Sequence, residues 1–573
     1  MTANPLQRTT RSLSQVLFSY LPDQTVDLHG GVWQVSDWAD ARFIAVDDEV
    51  VRREIARAAY PWTVAGADSG LGEHLLRRRE MQVVTPSESG VEVSRFPQLF
   101  RCKSCGRLTD RSDDTCICGA KSRGQLPFVA YHRCGRAETP WIPSCQTHHQ
   151  VRLRRLPGTT RTADLVFDCP VCNREILRGF PWRKCDCTYG GTLDYNVHRA
   201  AVVYTPRSTV IVNPPDPAVA AQLRAPAAAD LTLRWALNGM RERGPLEAAP
   251  SIDGFIALFE AQGFDTETAR AMADAAAAKA GGKISTGPVD IDLNEDVREE
   301  AFEGALRLAY AVSGGRVRLG DLAARSAPGA RARYEQLYPP AFREAGIEEV
   351  ELLETFPVLT TVFGYTRGEA TAGRSTLRPF RASDGSIRLH AIKAETEGLL
   401  FRLNPLRVAT WLAARGHLAS PATNAFEARL AIIRSCEIPR AGEDPALATA
   451  GADLLRLTHS MSHRLIRKIA AFAGIERDSL GEYLVPLHLG FVIFAASRGD
   501  FVLGGLQALF ENDLDKALRE VVHGEPRCPL DPGCTRNGSA CAVCLHVGEP
   551  SCRYYNQFLA RTTLFGSAGY LTP

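Results

Sequence analysis

The sequence predicts an α+β chain of several domains, in which small cysteine-pinned β modules are followed by a mostly helical middle and an α/β C-terminal domain. Three observations carry this. Ten of the sixteen cysteines fall between Cys102 and Cys187, five fall between Cys528 and Cys552, and Cys436 stands apart. Beyond Pro214, Pro215 and Pro217, which mark a linker, the chain is rich in Ala, Leu, Arg and Glu, all good helix formers. From Leu447 onward a long amphipathic period gives way to apolar, strand-like runs.

Taken in order, residues 1–98 form a mixed α/β head. Val32 to Val35 and Phe43 to Val46 alternate as short strands, whereas Asp48 to Ala58 and Gly72 to Met81 have the period of helices with charged faces. Residues 99–200 form a tandem ribbon region, with strand-like intervals at Leu126 to Tyr131 and Ala163 to Phe167. Hairpins this short bury too little apolar area to hold themselves, so a metal must supply part of the folding energy. Residues 218–353 make the helical middle: Ala218 to Arg243, Ile252 to Lys279, and further helical period from Ala301 to about Leu353. Residues 354–446 are strand-rich and basic, opening on the β-branched and aromatic run Phe356 to Tyr365. Arg374, Arg378, Arg381, Arg388 and Lys393 lie here and are the candidate DNA contacts. Residues 447–573 close the chain with a helix from Leu447 to Phe472, strands starting at Tyr483 and Gly490, and a helix from Leu506 to Val522.

The ribbon region repeats one pattern. Cys102-x2-Cys105-x10-Cys116-x-Cys118 is followed by Cys169-x2-Cys172-x12-Cys185-x-Cys187, each a close pair, a loop and a second close pair. Four soft ligands on two tight turns suit a closed tetrahedral Zn2+. Cys534, Cys541, Cys544 and Cys552, with Cys528 upstream, supply ligands for a third site, so about three zinc ions are expected. Cys134, Cys145, His148 and His149 are irregularly spaced and read either as buried side chains or as another zinc site. Cys436 reads as a core thiol.

Composition sets the surroundings. No signal-peptide pattern opens the chain and no apolar run of roughly 18 residues occurs, so a cytoplasmic protein without a membrane span is expected. Thiols stay reduced there, which favours metal ligation over disulfides. The formal net charge is only +2, so any nucleic-acid surface must be a local patch.

On the C-terminal side, several motifs follow one another in a fixed order. These are His459-x3-His463, Ala495 to Asp500, Leu503-Gly504-Gly505-Leu506, Cys528 to Cys534, Cys541-x2-Cys544, Glu549 to Cys552 and Asn556 to Arg561. Over about 447 to 565 this order resembles the domain of unknown function that closes MrfA-type repair helicases. It also resembles the stand-alone DrmB-like subunits of DISARM anti-phage systems, as do Pro140-Trp141 and Thr361 to Arg367 less specifically. The resemblance implies zinc on Cys534, Cys541, Cys544 and Cys552 with Cys528 as the spare, leaving the choice between Cys528 and Cys534 open. It further implies a non-catalytic accessory subunit in defence against foreign DNA. Its partners would be a separately encoded helicase ATPase resembling DrmA and DNA with a single-stranded or tailed form.

Motifs that would carry catalysis are missing from these 573 residues. There is no phosphate-cradling G-x-x-x-x-G-K-[ST] loop, no H-E-x-x-H and no G-x-S-x-G, and four-thiolate zinc keeps no position for water. Two rival readings stand beside the accessory one: a metal-dependent nuclease or nucleic-acid-processing enzyme built on the His459/His463 helix, and a scaffold that contacts protein alone. Those histidines read either as ligands or as a helical pair packed on neighbouring strands. Trp141, Trp182 and Tyr189 read either as base-stacking platforms or as the core of a small zinc module.

Overall fold

The computed structural model describes all residues except 1–6, 11, 89, 112–114, 155–160, 247–264, 269, 273–290, 292, 370, 420–421, 441–442, 497–503, 549–551, 553 and 572–573. Most of the expected helix Ile252 to Lys279, and the segments Ser497 to Leu503 and Glu549 to Ser551 of the C-terminal motifs, lie outside the described residues. The architecture is α+β, as expected, and divides into two compact units. One comprises Met1–Pro214 and Leu359–Lys393, the other Pro215–Val358 and Ala394–Pro573.

In the first unit a four-stranded antiparallel sheet runs in the order Gln7–Thr9, Val91–Arg95, Gly31–Trp38, Thr25–Leu28. Alternation in Gly31–Trp38 turns Trp33 and Val35 into a core shared with Val26, Leu28, Val91 and Val93. The helix Asp48–Val64 starts where the Asp47 carboxylate accepts from the backbone N–H of Val50, and it buries Val51, Ile55, Ala59 and Trp62 at helical spacing. The expected helix from Gly72 to Met81 stops early: the helix is Leu71–Leu76, and Met81 already begins a strand, Met81–Thr85, paired in parallel with Ile387 to His390. Three three-stranded sheets complete this unit, and they carry the cysteines. Their shared apolar core is small, built on Leu126, Leu153, Phe167 and their neighbours.

The second unit holds the helical middle and the C-terminal elements. Helices Pro226–Leu237 and Glu295–Ser313 bear out helical character there. Helical period does not persist to Leu353, however. The strand Ile347–Thr366 begins first, because its Glu351 to Leu353 ladder onto Arg316–Arg318. The helix Ala450–Ala473, capped by Thr449 and ended by Gly474 at φ +65°, buries residues all around its N-terminal turns. It packs on the antiparallel pair Leu480–Val485 and Gly490–Ala495. The single expected helix after Leu506 is two, Gly505–Asn512 and Leu514–His523.

One buried acid organises the strands of this unit. Glu351 is fully buried and meets Arg316 at 3.1 Å, Arg318 at 3.3 Å and Arg402 at 3.1 Å. Burial raises its pKa, but the guanidinium groups of Arg402, Arg316 and Arg318 outweigh burial and hold it below the usual glutamate value. Its contribution is therefore complete above the unfolded pKa of 4.5 and is lost as pH falls through the lowered folded value. Glu351→Ala leaves buried guanidinium groups uncompensated and should destabilise the unit by about 3–5 kcal/mol. Urea unfolding followed by tryptophan fluorescence checks this, and the deficit should shrink as pH falls below 4.5 through the lowered folded value, where the parent loses the same pair.

Candidate metal centres

Five sets of donor side chains converge among the described residues, and within each set the ligand atoms lie within 4.8 Å of one another. Tight turns make them. After Cys102 the chain reverses so that Gly106 N–H donates to Cys102 O at 3.0 Å and Cys102 N–H donates to Arg107 O at 2.8 Å. The same pair of bonds recurs from Cys145, through His149 and Gln150, and from Cys169, through Asn173 and Arg174. The turn residue has positive φ each time: Gly106 at +77°, His149 at +52° and Asn173 at +59°. A tighter version begins at Cys116 and at His132, turning on Gly119 and Gly135.

In the first set, Cys102, Cys105, Cys116 and Cys118, the sulfurs of Cys102 and Cys118 are 3.7 Å apart and those of Cys105 and Cys116 are 3.5 Å apart. Tetrahedral ligands at Zn–S distances of about 2.3 Å would be about 3.8 Å apart, so the donors fit one ion. Burial raises the Cys105 thiol, but the backbone N–H and guanidinium of Arg107 outweigh it and bring the pKa down to about 6, favouring the thiolate that a metal needs.

The second expected ribbon is rearranged. Cys169 and Cys172 do not close with Cys185 and Cys187: they join Cys145 and His148, while Cys185 and Cys187 join His132 and Cys134. Strand pairing is the reason. Arg152–Arg154 lies antiparallel to Val166–Asp168 with Arg152 opposite Asp168, which brings the turn before one strand beside the turn after the other. Likewise Tyr131 lies opposite Asp194, so the turn after Phe128–Tyr131 meets the chain leading into Asp194–Val197. His148 Nδ1 is 3.5 Å from the sulfurs of both Cys145 and Cys169, and His132 Nδ1 is 3.4 Å from Cys187. One set is thus nested inside the other. His132 escaped the sequence reading, although His132-x-Cys134-Gly135 repeats Cys116-x-Cys118-Gly119 with one imidazole in place of a thiolate. His149 supplies the turn and not a ligand.

In the C-terminal set both Cys528 and Cys534 take part, with Cys541 and Cys544. Sulfur separations are 3.6 Å for Cys528–Cys541 and 3.7 Å for Cys534–Cys544. Arg467 on the long helix holds this loop through the carbonyls of Ala542, Val543 and His546. Cys552, expected here, is drawn away because Asn556 ties back to Val547 and presents Cys552 to His459, 3.2 Å from its Nε2. The fifth set is therefore His459, His463, Glu482 and Cys552, all buried. Glu482 had no sequence signal, since it is brought in by the strand Leu480–Val485 and not by spacing. Cys436 is a buried thiol whose pKa burial pushes up to about 12, and it belongs to none of the sets.

Arg378, Arg381 and Arg388 converge with His390, Asp23, Asp37 and Tyr365 on a cavity of about 290 Å³. Within it Arg388 binds Asp37 at 2.6 Å, and Arg381 donates to Ser69 O at 3.0 Å. Arg374 forms an exposed ion pair with Glu369, and Lys393 is exposed. Arg152 and Arg154 both face the buried Asp168. The module core is Phe167, Phe180 and Tyr195, with Phe180 stacked on Tyr195 at 4.6 Å, which leaves Trp182 89% exposed and Trp141 55% exposed.

Residues 12–194 match a family described as a domain of unknown function, DUF8724. That span contains the first three donor sets. No curated protein matches the chain. Among the described residues no helix is long and apolar enough to cross a membrane.

The nested pairing has a direct readout. Cys172→Ser and Cys187→Ser should each remove about one metal ion per chain, and the double variant about two, because each opens a different four-ligand shell. Elemental analysis checks this; a loss of about one from the double variant would restore the sequential ribbon.

Proposed function

We propose that this chain is a non-catalytic, zinc-binding accessory subunit that partners a separately encoded helicase ATPase and helps it engage DNA in defence against foreign DNA. The observation that carries the reading is the set of four Cys and Cys/His clusters on tight turns. Thiolate-rich, four-donor shells suit zinc, and a shell filled by protein has no open position for a reacting water. Such ions shape and stiffen a surface. The resemblance to DrmB-like subunits supplies the setting, a motor in trans and a DNA substrate. Trp182 and Trp141, exposed on the metal-pinned modules, are available for base stacking, and Arg374, Arg378 and Lys393 are exposed cations. Phosphate contacts from such residues are sequence-independent and salt-sensitive.

The nuclease reading is disfavoured by burial. His459 and His463 are both 0% exposed, so neither can meet a phosphodiester in this conformation. A protein-only scaffold keeps the zinc sites but assigns no role to the exposed aromatic and basic side chains.

The test pairs the full chain with its helicase. The chain alone should show no ATP hydrolysis, since it has no phosphate-cradling loop. The mixture should co-elute and bind tailed DNA more tightly than either protein. Replacing Arg374, Arg378 and Arg381 together with Ala should weaken that binding and flatten its salt dependence by about 0.7 per lost phosphate contact. Unchanged affinity and slope would remove these arginines from the interface. Failure to capture a helicase, together with metal-dependent DNA cleavage by the chain alone, would overturn the accessory reading.

A further inference from the structure

We propose that His459, His463, Glu482 and Cys552 form a fifth, closed metal centre of mixed donors, built for a divalent, tetrahedral, borderline-soft cation, with zinc as the natural occupant. Three separate pieces of backbone converge to make it. The i, i+4 spacing on Ala450–Ala473 sets the two imidazoles on one helix face, with ring centroids 4.3 Å apart and planes at 82°. The strand Leu480–Val485 brings Glu482 beneath them, and the loop beyond the C-terminal knuckle brings Cys552.

The separations are those of a coordination shell. His459 Nε2 is 3.1 Å from Glu482 Oε1 and 3.2 Å from Cys552 Sγ, and His463 Nε2 is 3.5 Å from Glu482 Oε1. Ligands placed tetrahedrally at about 2.1 Å from an ion would be about 3.4 Å apart. The imidazole of His463 is also oriented for ligation. Its Nδ1 lies 2.9 Å from the carbonyl oxygen of Leu545, so Nδ1–H donates there and the Nε2 lone pair faces the centre.

Burial and charge point the same way. His459, His463 and Glu482 are at most 1% exposed and Cys552 is 4% exposed. Both carboxylate oxygens of Glu482 and Nε2 of His463 lack a hydrogen-bond partner of acceptable geometry. A buried carboxylate left in that condition is costly. Two neutral imidazoles, one carboxylate and one thiolate carry a total charge of about −2, which a divalent cation cancels while taking up the lone pairs that face the centre, His463 Nε2 and one Glu482 oxygen among them. With all four positions filled by protein and no exposed face, the ion would hold helix, strand and loop together and would not activate water. The Leu545 carbonyl that orients His463 follows directly after Cys544, so the fifth centre is anchored to the neighbouring four-cysteine loop.

Elemental analysis and native mass spectrometry of the full chain test this without any helicase, so the outcome is independent of the accessory role. The parent should hold about five ions, and Glu482→Gln and Cys552→Ser should each lower that by about one. Cys541→Ser combined with Cys552→Ser should lose about two, whereas His459→Ala combined with Cys552→Ser should lose about one. Should the variants fail to fold, the parent's own count decides: about five supports the centre and about four overturns it. Two further results would overturn it. One is an unchanged count in Glu482→Gln and Cys552→Ser, which leaves a metal-free hydrogen-bonded cluster. The other is a loss of only about one ion from Cys541→Ser with Cys552→Ser, which returns Cys552 to the four-cysteine set.

Discussion

Thiolates brought within 4 Å of one another repel unless a cation lies between them, and the small sheets of the first unit are built around that requirement. In the first set the Cys102 and Cys118 sulfurs are 3.7 Å apart, and beyond the small core around Leu153 and Phe167 little apolar area is available to force such an approach. A coordination bond at such a set would do for these modules what a larger core does elsewhere. Strand pairing chooses which turns meet, and an ion bound there would keep them together, so the surface these modules offer depends on both.

The second unit handles buried charge in two contrasting ways. Glu351 is balanced by three guanidinium groups that arrive on the strands Arg316–Arg318 and Ile387–Leu403, with hydrogen bonds for its oxygens. Glu482 has no arginine. Its neighbours are two imidazoles and a thiol, groups that compensate a carboxylate only by carrying extra protons or by sharing a cation with it. Two glutamates of equal burial thus mark different solutions, one a static ion-pair network and the other a ligand shell.

Much of this was legible in the sequence, and what was hidden has physical causes. Fold class, the position of the long C-terminal helix and the ligand character of the clustered cysteines follow from period and spacing. Cys102 to Cys118 close as their spacing suggests because both turns lie on one short sheet. Cys169 and Cys172 do not close with Cys185 and Cys187, because an antiparallel ladder outranks proximity along the chain. Spacing cannot see a ladder. Imidazoles standing in for thiolates, as at His132, are masked by counting cysteines alone, while Glu482 is one acid among many until a strand carries it beneath His459 and His463. The basic segment was visible as a run of arginines, yet two of its partners, Asp37 for Arg388 and Ser69 for Arg381, are distant in sequence, while Glu369 beside Arg374 is local.

Nesting gives the ribbon region a direction in time. The Cys102 to Cys118 set is complete as soon as Cys118 has been made, the inner set waits for Cys172, and the outer set waits for Cys187. His148 and Cys169 of the inner set are separated by 21 positions, and that loop sits within the 51-position separation of Cys134 and Cys185. Closing it first shortens the free loop that the outer set must still close. A chain emerging from the ribosome thus meets its ligands in the order in which the sites can be shut. Order of synthesis thus separates the first set from the other two and the inner set from Cys185 and Cys187, while Cys134, made before the inner set, must be kept out of it by the strand pairing.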